Sequence, residues 1–135
     1  MTDKIFNKDI TDVSISLLDD TTAIACGVEL IKNGIPYTIM SLYLDKSDYP
    51  SKRQTLHYIY SLVFQYVPES DKLISFTSNS PYLGQYKEQE RKAGLYADGR
   101  KLSFRRVKNV KRHTKLLQFD AAKRKTSIIE KLKEV

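Results

Sequence analysis

The chain has a single cysteine, Cys26, and no stretch that approaches the roughly 20 apolar residues of a membrane-spanning helix. A lone cysteine cannot form an internal disulfide, and its place in an apolar run favours a small buried side chain over a nucleophile. Residues 1–9 lack the apolar core of a signal peptide. We therefore expect a cytoplasmic protein that does not enter a membrane.

Glycine and proline are also scarce, with five and four residues. Hydrophobic residues make up 41% of the 135 positions, which favours a globular protein large enough to bury a core. We expect residues 1–10 to form a polar lead-in and residues 11–135 to form a single domain.

Acidic residues are few in the last quarter of the chain. Thirteen of the 23 Lys and Arg residues lie from Arg100 onward, against three acids, Asp120, Glu130 and Glu134. The formal charge is therefore +10 in this part and −3 in residues 1–99, where ten bases face thirteen acids. Such asymmetry favours an end of the molecule that binds a polyanion, although a merely solvated basic face has the same composition.

Three consecutive runs between residues 11 and 44 have the pattern of β-strands. In the first, apolar positions at 13, 15 and 17 alternate with serines, as in a half-buried strand. The second, residues 21–31, is almost continuously apolar, which is typical of a strand covered on both faces. Asn33-Gly34 then predicts a tight hairpin, because both residues tolerate positive φ, and it leads into the third strand.

Helices and two further strands are predicted after this meander. Residues 52–67 predict a helix whose apolar stripe faces the sheet, and residues 73–77 predict a fourth strand parallel to the first. Residues 81–94 predict a second helix, and residues 102–107 predict a fifth strand. The last predicted helix carries these apolar residues: Ala121, Ala122, Ile128, Ile129 and Leu132.

This order of elements, βββαβαβα, resembles the ribonuclease H-like fold. Four segments carry the resemblance. They are Thr11-Asp-Val-Ser14 and Ala25-Cys-Gly-Val-Glu-Leu30 on the first two strands, Phe76-Thr-Ser-Asn-Ser80 on the fourth strand, and Phe119-Asp-Ala-Ala-Lys-Arg124 on the last helix. The resemblance implies an α/β protein with a five-stranded mixed sheet and helices that pack on it.

The resemblance also implies a cluster of carboxylates that holds two divalent ions about 4 Å apart for phosphodiester hydrolysis. Asp12 and Asp120 match the first and last acidic positions of the family. The helix position falls at Gln54 by local alignment, or at Lys52 or Arg53 if judged by the apolar stripe. The position at the end of the fourth strand falls at Ser78. No residue from 49 to 67 is acidic, so half of the set is missing. We expect a degenerate site that binds no metal, or Mg²⁺ or Mn²⁺ only weakly.

The basic segment from residue 100 to residue 115 contains no acid. Neutralising phosphates with such a segment releases counterions and gives salt-sensitive, largely sequence-independent binding to nucleic acid. Tyr82 and Tyr86 are candidates for stacking on bases. The candidate phosphate-binding residues are Lys52, Arg53, Arg105, Arg106, Lys108, Lys111, Arg112, His113 and Lys115.

Three functions are compatible with these patterns. The favoured one is a non-catalytic ribonuclease H-like domain that binds nucleic acid. The second is a metal-dependent nuclease for RNA–DNA hybrid or structured nucleic acid, with Asp19 or Asp20 completing a rearranged site on Asp12 and Asp120. The third is a protein-interaction scaffold whose basic face meets an acidic partner chain.

Overall fold

A mixed β-sheet of six strands is the centre of the computed structural model, which describes residues 9–80 and 100–135. The strands are Ile10–Asp19 (β1), Ala23–Lys32 (β2), Ile35–Asp45 (β3), Leu73–Ser78 (β4), Lys101–Arg106 (β5) and Ile128–Lys131 (β6). The helices in the described ranges are Lys52–Tyr66 (α1) and Arg112–Arg124 (α2). Across the sheet the strands follow the order β5-β4-β1-β2-β3-β6.

The first three strands form the predicted antiparallel meander. Asn33 and Gly34 adopt φ values of 53° and 80° at the hairpin between β2 and β3, as their residue types predict. β4 pairs in parallel with β1, and β5 pairs in parallel with β4. The prediction of a fourth strand parallel to the first is therefore confirmed.

The chain after α2 differs from the prediction, because residues 128–132 do not continue the helix. The helix is closed at Lys125, which has a φ of 58° and donates its backbone N–H to the Ala121 carbonyl oxygen at 2.8 Å. The Ser127 hydroxyl then accepts from the Tyr43 backbone N–H at 2.9 Å, and β6 pairs antiparallel with β3. The sheet gains a sixth strand because the open edge of β3 offers main-chain partners that a longer helix would leave unused.

The face of the sheet toward α1 is apolar. The predicted stripe of α1 is buried at every position: Leu56, Ile59, Tyr60, Val63 and Val67. Phe76 of β4 stacks on Phe104 of β5 with a centroid distance of 5.2 Å. Cys26 is fully buried here, and burial raises the pKa of its thiol, as expected for an inert core cysteine.

The face toward α2 is held instead by buried polar groups. The Thr114 hydroxyl donates to Glu29 Oε1 at 2.6 Å and lies 2.8 Å from the Ser14 hydroxyl. One turn later, Ser16 donates to Gln118 Oε1 at 2.6 Å. We call these contacts the polar seam; together they join α2 to β1 and β2.

Gly27 of β2 allows α2 to approach the sheet this closely. A Cβ at this position would lie 2.1 Å from the Thr114 carbonyl oxygen and 2.7 Å from the Gln118 backbone nitrogen. Both of those atoms belong to the helix backbone and cannot rotate away. The missing side chain of Gly27 is therefore a steric requirement for the polar seam.

The predicted helix over residues 81–94, with Tyr82 and Tyr86, lies outside the described residues. Neither of the two helices in the described ranges has the length and apolar character needed to cross a membrane.

We predict that Gly27→Ala lowers the free energy of unfolding by about 2–3 kcal/mol, because the added methyl group forces α2 off the sheet and strains the seam. Urea unfolding measures the change. The matched control is Gly34→Ala, where a Cβ meets nothing within 4 Å but φ is +80°, so the cost is about 1 kcal/mol of backbone strain. A smaller loss at Gly27 than at Gly34 would contradict the close approach.

Candidate nucleic-acid interface

The strand register separates two of the positions where the resemblance places carboxylates. Asp12 is the Cα partner of Ser75, and Ser78 is the partner of Ile15. Paired residues share a face of the sheet and successive residues alternate, so Ser78 lies on the α1 face with buried Ile15, whereas Asp12 lies on the α2 face. Asp12 and Ser78 therefore do not line one site.

The side chains at the other two positions, Gln54 and Asp120, form contacts within or next to their own helices. Gln54 closes the amino end of α1 in a capping box, in which its backbone N–H donates to Ser51 Oγ at 3.1 Å and its Oε1 accepts from the Ser51 N–H at 3.2 Å. Asp120 of α2 forms an ion pair with Arg124 and accepts from Ser41 Oγ at 3.3 Å. Both side chains stabilise their own helix or its contact with the sheet.

Asp12 and Asp120 are far apart along the sheet. Asp120 accepts a hydrogen bond from Ser41 of β3. Ser41 is in register with Gly27 of β2, and Gly27 is in register with Ser16 of β1. Asp120 is therefore level with Ser16, four residues along β1 from Asp12, and lies over a strand two positions away. Four residues along a strand is about 13 Å, and two strand spacings are about 10 Å. The structure therefore does not bring the two aspartates together.

A small cleft of about 160 Å³ opens where β1 and β4 end, beside the first turn of α1. The carboxyl ends of parallel strands are the usual ligand position in open α/β sheets. We call it the strand-end cleft. It is lined by Leu17, Asp19, Ile24, Lys52, Thr55, Leu56, Asn79 and Ser80.

Among the described residues that line the strand-end cleft, the carboxylate is Asp19, and it is already paired with two lysines. Asp19 lies 2.6 Å from the Lys46 ammonium and 2.8 Å from the Lys52 ammonium, and these contacts lower the pKa of Asp19 below its ordinary value. The Asn79 amide accepts from the Leu17 N–H at 2.9 Å and donates to the Leu17 carbonyl oxygen at 3.2 Å. The polar groups of this cleft thus bind the protein itself.

These residues do not fit a pair of divalent ions. Such ions need several anionic oxygen ligands, and here two ammonium groups surround a single carboxylate. Within residues 9–80 and 100–135 there is no cluster of three or more His, Cys, Asp or Glu side chains that could hold a metal.

A larger cleft of about 550 Å³ lies on the opposite face, over β1, β4 and β5 and beside the segment that leads into α2. We call it the sheet-face cleft. It brings together three of the predicted site residues, Asp12, Arg105 and Lys111. Its lining is Asp12, Val13, Ser14, Ile31, Ser75, Thr77, Ser103, Arg105, Val107, Asn109, Val110 and Lys111.

The floor of the sheet-face cleft consists of hydroxyl groups aligned across neighbouring strands. Thr77 is in register with Arg105, and Ser75 is in register with Ser103. The two faces of β5 differ: Arg105 lies in the cleft, while Phe104 stacks on Phe76 on the other face. The hydroxyls of β4 were not among the predicted site residues, although their alternation with Ile74 and Phe76 in the sequence marks them as a polar face.

The remaining basic candidates are exposed. Lys52 pairs with Asp19 in the strand-end cleft, and Arg53 is exposed beside it in the first turn of α1. The others follow the sheet-face cleft along the chain: Arg106, Lys108, Arg112, His113 and Lys115 are all exposed.

We predict that Asp19→Asn destabilises the protein near pH 7 and that this effect disappears once the pH falls below the lowered pKa of Asp19. Because the lysines lower the pKa of Asp19 from 3.8, its carboxylate stabilises the fold above that value and loses this effect as the pH falls through the lowered pKa. The Asp19 side chain is 39% exposed, so the loss near pH 7 is below about 1 kcal/mol.

Urea unfolding of Asp19→Asn and of the wild type, at about pH 7 and again at a pH well below the ordinary aspartate pKa, measures the difference in the free energy of unfolding. Asp20→Asn is the control, because an amide oxygen still accepts the hydrogen bond that Asp20 Oδ1 receives from the Thr21 N–H. A difference between Asp19→Asn and the wild type that stays constant with pH would contradict the ion pairs.

Comparisons with known proteins agree with the topology. No protein-family model matches the chain, and no curated protein is similar to it in sequence. The structure is similar to the crystal structure of RNase H1 from the halophilic archaeon Halobacterium salinarum NRC-1, with a TM-score of 0.52 at 12% sequence identity. The similarity covers 85% of this chain and 98% of that chain. The protein therefore has a ribonuclease H-like fold, with six strands where the sequence predicts five.

Proposed function

We propose that the protein is a non-catalytic ribonuclease H-like domain that binds nucleic acid through the sheet-face cleft and the exposed cations that follow it. The observation that carries the proposal is the position of Arg105 and Lys111 in a cleft whose floor is lined by serine and threonine hydroxyls. From Arg100 to Phe119 the chain adds six more Lys and Arg residues and no acid.

The chemistry of this surface suits a phosphodiester backbone. Lysine and arginine neutralise phosphates, and serine and threonine hydroxyls donate hydrogen bonds to phosphate oxygens. Ser75, Thr77 and Ser103 supply such hydroxyls beside the Arg105 guanidinium. Contacts of this kind position a strand without reading its sequence, so we expect binding with little base preference.

The separation of the acids that the structure describes supports the proposal that the domain is non-catalytic. Two-metal hydrolysis needs carboxylates that converge on one point. Asp12 lies in the sheet-face cleft with two cations, Asp19 is paired with lysines on the other face, and Asp120 is paired with Arg124. Each carboxylate thus stands apart from the other two.

We predict binding without cleavage. Labelled single-stranded RNA, duplex RNA, duplex DNA and RNA–DNA hybrid are each incubated with the protein in EDTA, Mg²⁺ or Mn²⁺ and at two salt concentrations. Binding in EDTA that weakens with salt, with no hydrolysis in either metal, is the expected result. Cleavage that disappears in Asp12→Asn would contradict the proposal and identify a nuclease.

We also predict that the double variant Arg105→Ala/Lys111→Ala lowers the slope of log Kd against log salt by about two, because two phosphate contacts are removed. The matched control is Lys133→Ala, which also removes positive charge but lies just beyond β6, at the opposite edge of the sheet from β5. If the salt slope falls by the same amount per charge removed in the cleft variant and in the control, the protein attracts nucleic acid by net charge alone. Absence of binding to every nucleic acid at low salt would leave the scaffold function.

A further inference from the structure

The side of α2 that faces away from the sheet has an unusual composition. At 3.6 residues per turn, its outward positions are centred opposite the buried residues Thr114, Gln118 and Ala121. We call this set the outer stripe. It consists of Arg112, Lys115, Leu116, Phe119 and Lys123, all of which are exposed.

Phe119 is the central residue of the outer stripe. The residue is 49% exposed, whereas Tyr60 and Phe76 are at most 1% exposed in the core. Lys115 and Lys123 lie one helical turn before and after it, at the i−4 and i+4 positions that neighbour it on a helix surface. An exposed aromatic ring between cations is the combination that single-strand-binding surfaces use. The acid next to it in the chain, Asp120, is paired with Arg124 and accepts from Ser41 of the sheet.

We propose that the outer stripe is a stacking platform for single-stranded nucleic acid, in which Phe119 stacks on a base and Lys115 and Lys123 contact the flanking phosphates. The inference rests on the proposed function and narrows its ligand. In a duplex, both faces of an internal base are already covered by neighbouring bases. An unpaired base offers a free face to the Phe119 ring, so the platform favours single strands over duplexes.

The stripe continues the path of the sheet-face cleft. Lys111 lines that cleft and is followed directly by Arg112, the first residue of α2 and of the stripe. From Arg112 to Lys123 the helix advances about 16 Å, which matches about five stacked nucleotides at ~3.4 Å each. One strand can therefore lie in the cleft and pass along the helix.

The positive charge of the outer stripe favours a nucleic-acid strand over a second copy of the chain as its ligand. In a symmetric dimer the same patch meets itself, so Arg112, Lys115 and Lys123 would face like charges. Only Leu116 and Phe119 would supply apolar area to offset that repulsion. A polyanion with flat aromatic groups complements both components of the patch.

Fluorescence gives a direct test, because the chain contains no tryptophan. Phe119→Trp places a single indole in the stripe, and we expect oligodeoxythymidylate to quench its emission as a base stacks on it. Tyr58→Trp is the matched control, since Tyr58 is also an exposed aromatic residue but lies on α1. Its emission should be unchanged by the oligonucleotide.

Binding by fluorescence anisotropy gives the second readout. We expect Phe119→Ala to weaken binding of oligodeoxythymidylate by about 5- to 150-fold without changing the salt slope, because a stack and not a phosphate contact is lost. Duplex DNA of the same length should lose less than about twofold. Phe119→Trp should bind the single strand like the wild type, and Leu116→Ala should weaken it less than Phe119→Ala.

The failures of this inference and of the proposed function are distinguishable. If Phe119→Ala binds oligodeoxythymidylate like the wild type while Arg105→Ala/Lys111→Ala weakens it, the platform is wrong and the proposed function stands. If Phe119→Trp responds to anionic phospholipid vesicles and not to the oligonucleotide, the platform is also wrong. If the wild type binds no nucleic acid at low salt, both fall together.

Discussion

The close contact between α2 and the sheet at Gly27 is the constraint on which the proposed interface depends. The helix is held by hydrogen bonds of the polar seam, and its buried residues are Thr114, Gln118 and Ala121. Hydrogen bonds are directional, whereas apolar packing tolerates small rotations. The seam therefore sets the rotation of α2 about its axis, and with it the direction in which the ring of Phe119 points.

The two faces of the sheet consequently have different roles. The α1 face buries an apolar core and ends at the strand-end cleft, where Asp19 is neutralised by Lys46 and Lys52. The α2 face is polar, and the part of it beyond the helix forms the sheet-face cleft. Arg105, Lys111 and the hydroxyls of Ser75, Thr77 and Ser103 line that cleft. This is why we place the interface on the α2 face.

Much of the fold could be predicted because the spacing of apolar residues along the sequence indicates which face of each helix or strand is buried. The alternation at Val13 and Ile15, the continuous apolar run of β2 and the stripe of α1 each correspond to burial in the structure. The Asn33-Gly34 hairpin followed from residue conformational preference alone. β6 was not predicted, because it is short and mostly exposed and so has no clear pattern of its own. It forms only by pairing with the edge of β3, where Ile128 lies opposite Ser41, 87 residues earlier in the chain.

The candidate site was harder to predict, because it depends on the register between strands that are distant in sequence. The short match around Asp12 suggested a metal ligand, but Asp12 alternates with buried Val13 and therefore points away from α1. The sequence alternation alone shows that Asp12 and Val13 lie on opposite faces of β1. It does not show that Asp12 pairs with Ser75 or that Lys46 contacts Asp19. Local motifs identify residue types, and only the assembled sheet shows which of them meet.

The most direct test of the account is to map the surface that nucleic acid contacts. Amide chemical shifts of the isotope-labelled protein would be recorded during titration with a single-stranded oligonucleotide in EDTA. The account predicts the largest changes at β5, the segment that follows it and the outward positions of α2, around Arg105, Lys111 and Phe119. Changes centred instead on Asp19, Lys52 and Asn79 would place the ligand in the strand-end cleft and contradict the account.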